Sequence, residues 1–211
     1  MAVNIVRRRY MSDGVTWLPE SFSEGFCVAF CEGVSLEDFI LRLGGNIDRS
    51  LMLTREQVEA IDLASRYPEM NELESYDLNE DELRDTAFMH PDAEIIRMGC
   101  ISGWAYAIQS FGSYLSSPVT ARQASRDTRY ISFGQTVNMA AWVQYAVDGE
   151  LVNSFDPLHP VGGSSEGIRV EGLEDSHDPA FSVLTQMEER FHLEIPRSTD
   201  IQPMMTVCVG R

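Results

Sequence analysis

Gly163-Ser164-Ser165-Glu166-Gly167 carries the G-x-S-x-G spacing of serine hydrolases, and Asp175 and His177 follow in the order that an acid and a base would take. The motif does chemistry only where a strained strand-to-helix turn exposes the serine hydroxyl. Here the surrounding stretch, Pro160 to Asp178, is rich in glycine, serine and acids and reads as a long mobile loop with neither element beside it. Asp77, Asn79 and Asp81 imitate the opening of a calcium loop, yet Glu82 stands where the sharp turn needs glycine and Phe88 where the bidentate glutamate belongs. Cys27 and Cys31 lie in an apolar run. On an extended strand four residues at ~3.3 Å each hold them roughly 13 Å apart, too far for a disulfide or a shared zinc. His90, His159, His177 and His192 share no metal-ligand spacing. These residues assign no catalytic group, no metal and no cofactor.

Two groupings remain as candidate binding sites. Arg122 and Arg126 fall one helical turn apart, with Arg129 just beyond, and guanidinium forks suit a phosphate or carboxylate or the acids of their own chain. Asp156-Pro157-Leu158-His159-Pro160 leaves a predicted strand as a proline-stiffened exit that carries an acid and an imidazole. A ligand site near Arg122, Arg126, Asp156 and His159 requires a deep pocket in which Trp104 and Trp142 join them. The second grouping is Glu80, Asp81 and Glu82, the densest part of an acidic segment over residues 69–92, which suits a basic protein partner.

The charge pattern favours the second grouping. Net charge is −17, with thirteen acids against two arginines over residues 56–94 and eleven against two over 148–194. Residues 95–147 hold only Asp127 against Arg97, Arg122, Arg126 and Arg129. Acidic flanks around a near-neutral centre repel nucleic acid and anionic membrane, whether they serve a partner or only solubility. There is no lysine: all sixteen basic residues are arginine. Schiff-base chemistry on lysine, including pyridoxal phosphate catalysis, is therefore excluded, as are the lysine-dependent P-loop and protein-kinase sites. The four cysteines are too few and scattered for a disulfide framework, no signal peptide is evident, and no apolar run approaches a membrane span of ~20 residues. A bacterial, cytoplasmic chain is expected.

The elements that must position these residues are legible in outline. Trp142 to Val147 and Glu150 to Phe155 flank Asp148-Gly149, the sequence preferred by a type I′ hairpin turn. Glu94 to Cys100 and Trp104 to Gln109 form a second pair across Ile101-Ser102-Gly103, and Arg129 to Phe133 a further strand. Phe26 to Cys31 is apolar on both alternating faces, as in a strand covered on both sides. Helices are predicted from Leu36 to Leu43 behind Ser35, from Thr54 to before Pro68 with a Thr54/Gln57 capping box, from Pro118 to Ser125 behind Ser117, and from Pro179 to Leu193. Asn79 to Phe88 is either a short helix or a solvated loop, and Met204 to Val209 a terminal strand. The fold class is α+β: one domain over residues 17–211, an antiparallel sheet with helices packed on it, behind a partly ordered lead-in at residues 1–16.

The succession of landmarks, Phe26 to Glu32 with Gly33-Val34-Ser35-Leu36-Glu37-Asp38, then Gly103-Trp104-Ala105-Tyr106-Ala107, Tyr145-Ala146-Val147-Asp148-Gly149, Ser154-Phe155-Asp156-Pro157 and Phe191-His192-Leu193, resembles an actinobacterial family of domains of unknown function. The resemblance spans Trp17 to Pro196. It implies an antiparallel sheet with helices and no catalytic residues to carry over. The expectation for function is a non-catalytic intracellular acidic protein that engages a basic protein partner, as toxin-neutralising or defence-associated proteins do. The alternative is a small-ligand sensor or enzyme at the Arg122, Arg126, Asp156 and His159 site. Oligomeric state is left open.

Overall fold

Size, rather than polarity, alternates along the central strands. In Phe26-Cys27-Val28-Ala29-Phe30-Cys31 and Trp104-Ala105-Tyr106-Ala107-Ile108 every side chain is buried, the large ones on one face of the sheet and the small ones on the other. A computed structural model of the chain describes residues 13–70, 72–159, 167–169, 173 and 176–209. Its elements are α1 (Leu18–Ser21), β1 (Gly25–Glu32), α2 (Leu36–Arg42), β2 (Leu51–Leu53), α3 (Arg55–Arg66), α4 (Glu80–Asp85), β3 (Glu94–Ile101), β4 (Trp104–Gln109), α5 (Pro118–Ala124), β5 (Arg129–Thr136), β6 (Ala141–Val147), β7 (Glu150–Phe155), α6 (Pro179–Phe191) and β8 (Met204–Val209). All eight strands form one antiparallel sheet in the order β2-β8-β3-β4-β1-β5-β6-β7. The expected α+β architecture is thus present, with β1 at its centre.

Local chemistry explains most element boundaries. Asp148 and Gly149 both take positive φ, 50° and 85°, as a type I′ turn requires. Ser35 accepts from the Asp38 amide at 3.0 Å to start α2. Gly44, at φ 80°, ends it in a Schellman arrangement, with the Gly45 amide donating to the Ile40 carbonyl at 2.9 Å. The Thr54/Gln57 capping box closes in both directions at 3.2 and 3.0 Å. Asp77-Asn79-Asp81 is the start of α4: Asn79 accepts from the Asp81 and Glu82 amides at 2.9 and 3.2 Å, which accounts for its imitation of a calcium loop.

The large-residue face is covered by α6 and α1 over β1, β5 and β6, and by α3 and α4 over β3, β8 and β2. On the small-residue face, α2 and α5 lie against Ala29, Ala105, Ala107 and Ala146. Residues 13–16 belong to the packed domain: Val15 is fully buried, and its amide and that of Thr16 both donate to Glu188 of α6, at 2.5 and 2.6 Å. Within the stretch read as a mobile loop, Ile168 and Leu173 are buried in the core, and Arg169 and Gln186 exchange two hydrogen bonds. Residues 160–166, 170–172, 174 and 175, and with them Gly163 to Glu166, lie outside the described residues. Among the described residues no helix is long and apolar enough to cross a membrane.

One charge is buried on the large-residue face. Arg97 of β3 is 1% exposed and donates to the Thr199 carbonyl at 2.7 Å. Its guanidinium carbon stands 5.9 Å from the centre of the Phe22 ring, and that of Arg55 5.2 Å. Burial, then the neighbouring Arg55, lowers the Arg97 pKa to about 10, while Glu59 and Asp200 oppose the fall. Arg55 pairs with both acids, at 3.2 and 2.8 Å. Two guanidiniums and two carboxylates thus form a near-neutral group joining β3, α3 and residues 199–200, which limits the cost of removing Arg97 from water.

The small-residue face leaves little tolerance. A methyl group on Gly134 would sit 2.5 Å from the Cys27 sulfur and 3.0 Å from the Ser116 hydroxyl oxygen. Gly134→Ala should therefore destabilise the domain by about 1–3 kcal/mol in urea unfolding, the usual cost of overpacking. Adding Cys27→Ala should recover part of that loss, and strictly additive effects in the double-mutant cycle would show that the two sites do not meet.

Candidate functional site

The four residues of the first candidate site divide into two pairs. Arg122 of α5 and Arg126 just past its end are exposed and flank the turn at Gly149, where a Cβ would lie 3.7 Å from the Arg122 carbonyl oxygen and 3.8 Å from Arg126 Cγ. Asp156 and His159 follow the far end of β7; one Asp156 oxygen accepts from the Leu158 amide at 2.8 Å and the other lies 3.1 Å from His159 Nδ1. The length of β7, about 20 Å, separates the pairs. Trp104 and Trp142 also face opposite sides of the sheet, so no common pocket forms among the described residues: Trp104 is 7% exposed among Phe30 and Phe191, while Trp142 is 38% exposed. Arg129 is engaged by both oxygens of Glu32. Cys27 and Cys31 are buried free thiols on the small-residue face, and burial raises their pKa values to about 11 and about 12, far from reactive thiolates.

Glu80, Asp81 and Glu82 form the first turn of α4, where acids oppose the helix dipole. Glu80 pairs with Arg84 at 3.0 Å, whereas Asp81 and Glu82 are exposed. They belong to a wider acidic layer: nine of the thirteen acids between positions 56 and 94 are exposed. Within the layer a groove of about 200 Å³ runs beside α3, lined by Glu56, Glu59, Ala60, Leu63, Glu72, Tyr76 and Phe111.

Across Phe111 lies a second and larger cleft, about 530 Å³, at the end of the sheet. Its walls come from the start of β1 (Gly25 to Cys27), the residues after β4 (Ser110 to Ser113), the end of β5 and its turn (Gln135 to Asn138), Trp142, Glu24, Glu94 and Arg66. Glu94 is held in place. One of its oxygens accepts from the Gln109 side-chain amide, whose carbonyl accepts from the Tyr114 amide at 3.1 Å. Gly112 packs over the pair so closely that a Cβ there would lie 2.7 Å from that Glu94 oxygen. Burial raises the Glu94 pKa; the Gln109 amide and Arg66 oppose the rise, and Asp62 adds to it. Asp62, itself raised by burial, pairs with Arg66 at 2.9 Å.

A family model described as "Family of unknown function (DUF6461)" matches residues 13–167. The chain belongs to that family. No curated protein and no solved structure matches it. The DUF6461 segment contains every residue lining the groove and the cleft. It ends before α6 and β8, although α6 closes the core over β1 and β8 lies inside the sheet, so this chain's fold extends past the DUF6461 match.

Sequence reasoning did not single out Glu94, Gln109 or Gly112 as a site because the cleft assembles from dispersed segments with no local spacing. The available signal was an acid at the first position of a strand otherwise buried along its first half. That acid is costly when ionised. Because its folded pKa is raised, the folded chain binds a proton more readily than the unfolded one, and stability falls as pH rises through the folded value. Glu94→Gln keeps an acceptor for Gln109, so it should melt at a higher temperature than the parent at pH 7.5. The difference should vanish at pH values below the unfolded pKa of glutamate; equal melting temperatures at both pH values would refute the assignment.

Proposed function

We propose that this chain is a non-catalytic binding protein that presents its acidic layer to a basic protein partner. The observation that carries the reading is the groove beside α3. Three glutamates, Glu56, Glu59 and Glu72, rim a floor made of Ala60, Leu63, Tyr76 and Phe111, with no basic residue in the lining. A lysine or arginine side chain fits such a place: its methylene stem lies along the apolar floor while its charged tip meets carboxylates. Glu59 is already paired with Arg55, so Glu56 and Glu72 are the acids available to an incoming cation. The exposed Asp81 and Glu82 extend the same field and would steer the encounter. A bacterial cytoplasmic setting suits this role, since all four cysteines are free thiols. Toxin neutralisation and defence are roles that such a surface serves.

The test is capture from the source organism's lysate, followed by native mass spectrometry of the retained complex. A stoichiometric basic protein should bind and should elute as salt rises from about 0.05 to 0.5 M, because exposed charge contacts are screened over that range. Glu56→Lys with Glu72→Lys should weaken binding of the purified partner by about tenfold or more, and reversal of Glu80, Asp81 and Glu82 should slow association further. Unchanged binding in both variants would remove the acidic layer from consideration.

A further inference from the structure

The cleft at the end of the sheet has a different character from the groove. It is more than twice as large, at about 530 Å³ against 200 Å³, and has both aromatic and charged walls. Its charged lining residues are Glu24, Glu94 and Arg66. Arg66 pairs with Asp62 at 2.9 Å and also acts on Glu94, so one cation faces three carboxylates, those of Asp62, Glu94 and Glu24, and the cleft stays net negative. Anions and phosphates are disfavoured there. Trp142 and Phe111 supply aromatic surface. Gln135 contributes a side-chain carbonyl oxygen that is buried with no hydrogen-bond partner among the described residues. Carboxylate, aromatic ring and free carbonyl acceptor together are the groups that recognise an ammonium or guanidinium.

We propose that this cleft binds a small organic cation, an amine or guanidine, that lies against Trp142 and is charge-paired with Glu94. The site is built for that role. Gln109, 3% exposed, fixes Glu94 from one side, and Gly112 seals the pair from the other, so the carboxylate needs little ordering when a ligand arrives. Glu94 sits at the first position of β3, where moving it would disturb a strand in the middle of the sheet. The cation has two possible sources, a free metabolite or a side chain of a bound protein, and Phe111, which lines both the cleft and the groove, makes the second geometrically open.

The full chain carries its own reporter. Trp17 and Trp104 are 3% and 7% exposed, whereas Trp142 is 38% exposed, so a ligand in the cleft should change the fluorescence of Trp142 alone. Agmatine serves as the probe, titrated by fluorescence and by calorimetry, with succinate as the anionic control. Agmatine should give a saturable signal and succinate none. Glu94→Gln, expected to be folded and more stable than the parent, should weaken agmatine binding by about tenfold or more, the usual value of a charge-assisted contact. Trp142→Leu should abolish the fluorescence change and weaken the calorimetric affinity. Glu56→Lys with Glu72→Lys should leave agmatine binding intact, so failure of the acidic groove and failure of this cleft are distinguishable. Displacement of a captured partner by agmatine would assign the cation to that partner's side chain, and retention of both together would assign it to a free small molecule. Absence of calorimetric saturation up to ~10 mM agmatine, or equal affinity in Glu94→Gln, would overturn the proposal.

Discussion

The structure depends on burying its central strands on both faces while keeping those faces unlike. β1 pairs with β4 on one side and β5 on the other, so its backbone groups are satisfied within the sheet and its side chains have only the two helical layers to meet. Phenylalanine, tryptophan and tyrosine from β1, β4, β5 and β6 fill the space under α6 and α1. On the opposite face β1 and β4 offer alanine and cysteine and β5 a glycine, which lets the short helices α2 and α5 approach closely, with Tyr130 of β5 packing on Phe39 of α2. A seven-residue helix has little intrinsic stability, so α2 and α5 derive theirs from this contact and from their caps. Exchanging large and small residues would overfill one layer and empty the other, which is why the size pattern constrains the fold more tightly than hydrophobicity alone.

Polar groups do the corresponding work at the margins of the core. The Glu188 carboxylate receives the Val15 and Thr16 amides, the Trp17 indole donates to the Ile195 carbonyl at 3.1 Å, and the Ile195 amide donates to the Gly14 carbonyl at 2.9 Å. These bonds tie the first described residues to the C-terminal part of the chain. The Arg97, Arg55, Glu59 and Asp200 group performs a similar closure between β3, α3 and the residues before β8. In both cases buried or half-buried charges link segments far apart in sequence, and breaking one partner would leave the other desolvated.

Local signals in the sequence were read well because their physics is local. Asp148-Gly149, Ser35, the Thr54/Gln57 box and Ser117-Pro118 each declare a turn or helix start within a few residues, and each does so in the structure. What depends on distant pairing was not legible. Leu51–Leu53 is too short to announce a strand and exists because β8, more than 150 residues later, pairs with it. Ile168 and Leu173 were hidden in a glycine- and acid-rich stretch whose composition suggests solvation, although both side chains reach the core. Arg122, Arg126, Asp156 and His159 were grouped as chemically suited to one ligand; the direction of β7 places the pairs at its opposite ends. The alternation of large and small residues was present in the sequence, but assigning each set to a face required knowing which helices lie where.

The same architecture explains why a binding site should lie at the end of the sheet. With helices covering both faces, ordered polar groups and exposed aromatic surface become accessible together mainly where strands end and their connections begin. Ser110 to Ser113 and Gln135 to Asn138 are such connections, and they leave neighbouring parts of the β4–β1–β5 array on the same side. Gln109 turns the first into a rigid wall by holding the Tyr114 amide and the Glu94 carboxylate at once. Phe111, projecting from that wall, lines both the cleft and the acidic groove. A change of Phe111 position would therefore alter both spaces. The two concavities share one short segment, whose shape is set by a glycine and a buried glutamine.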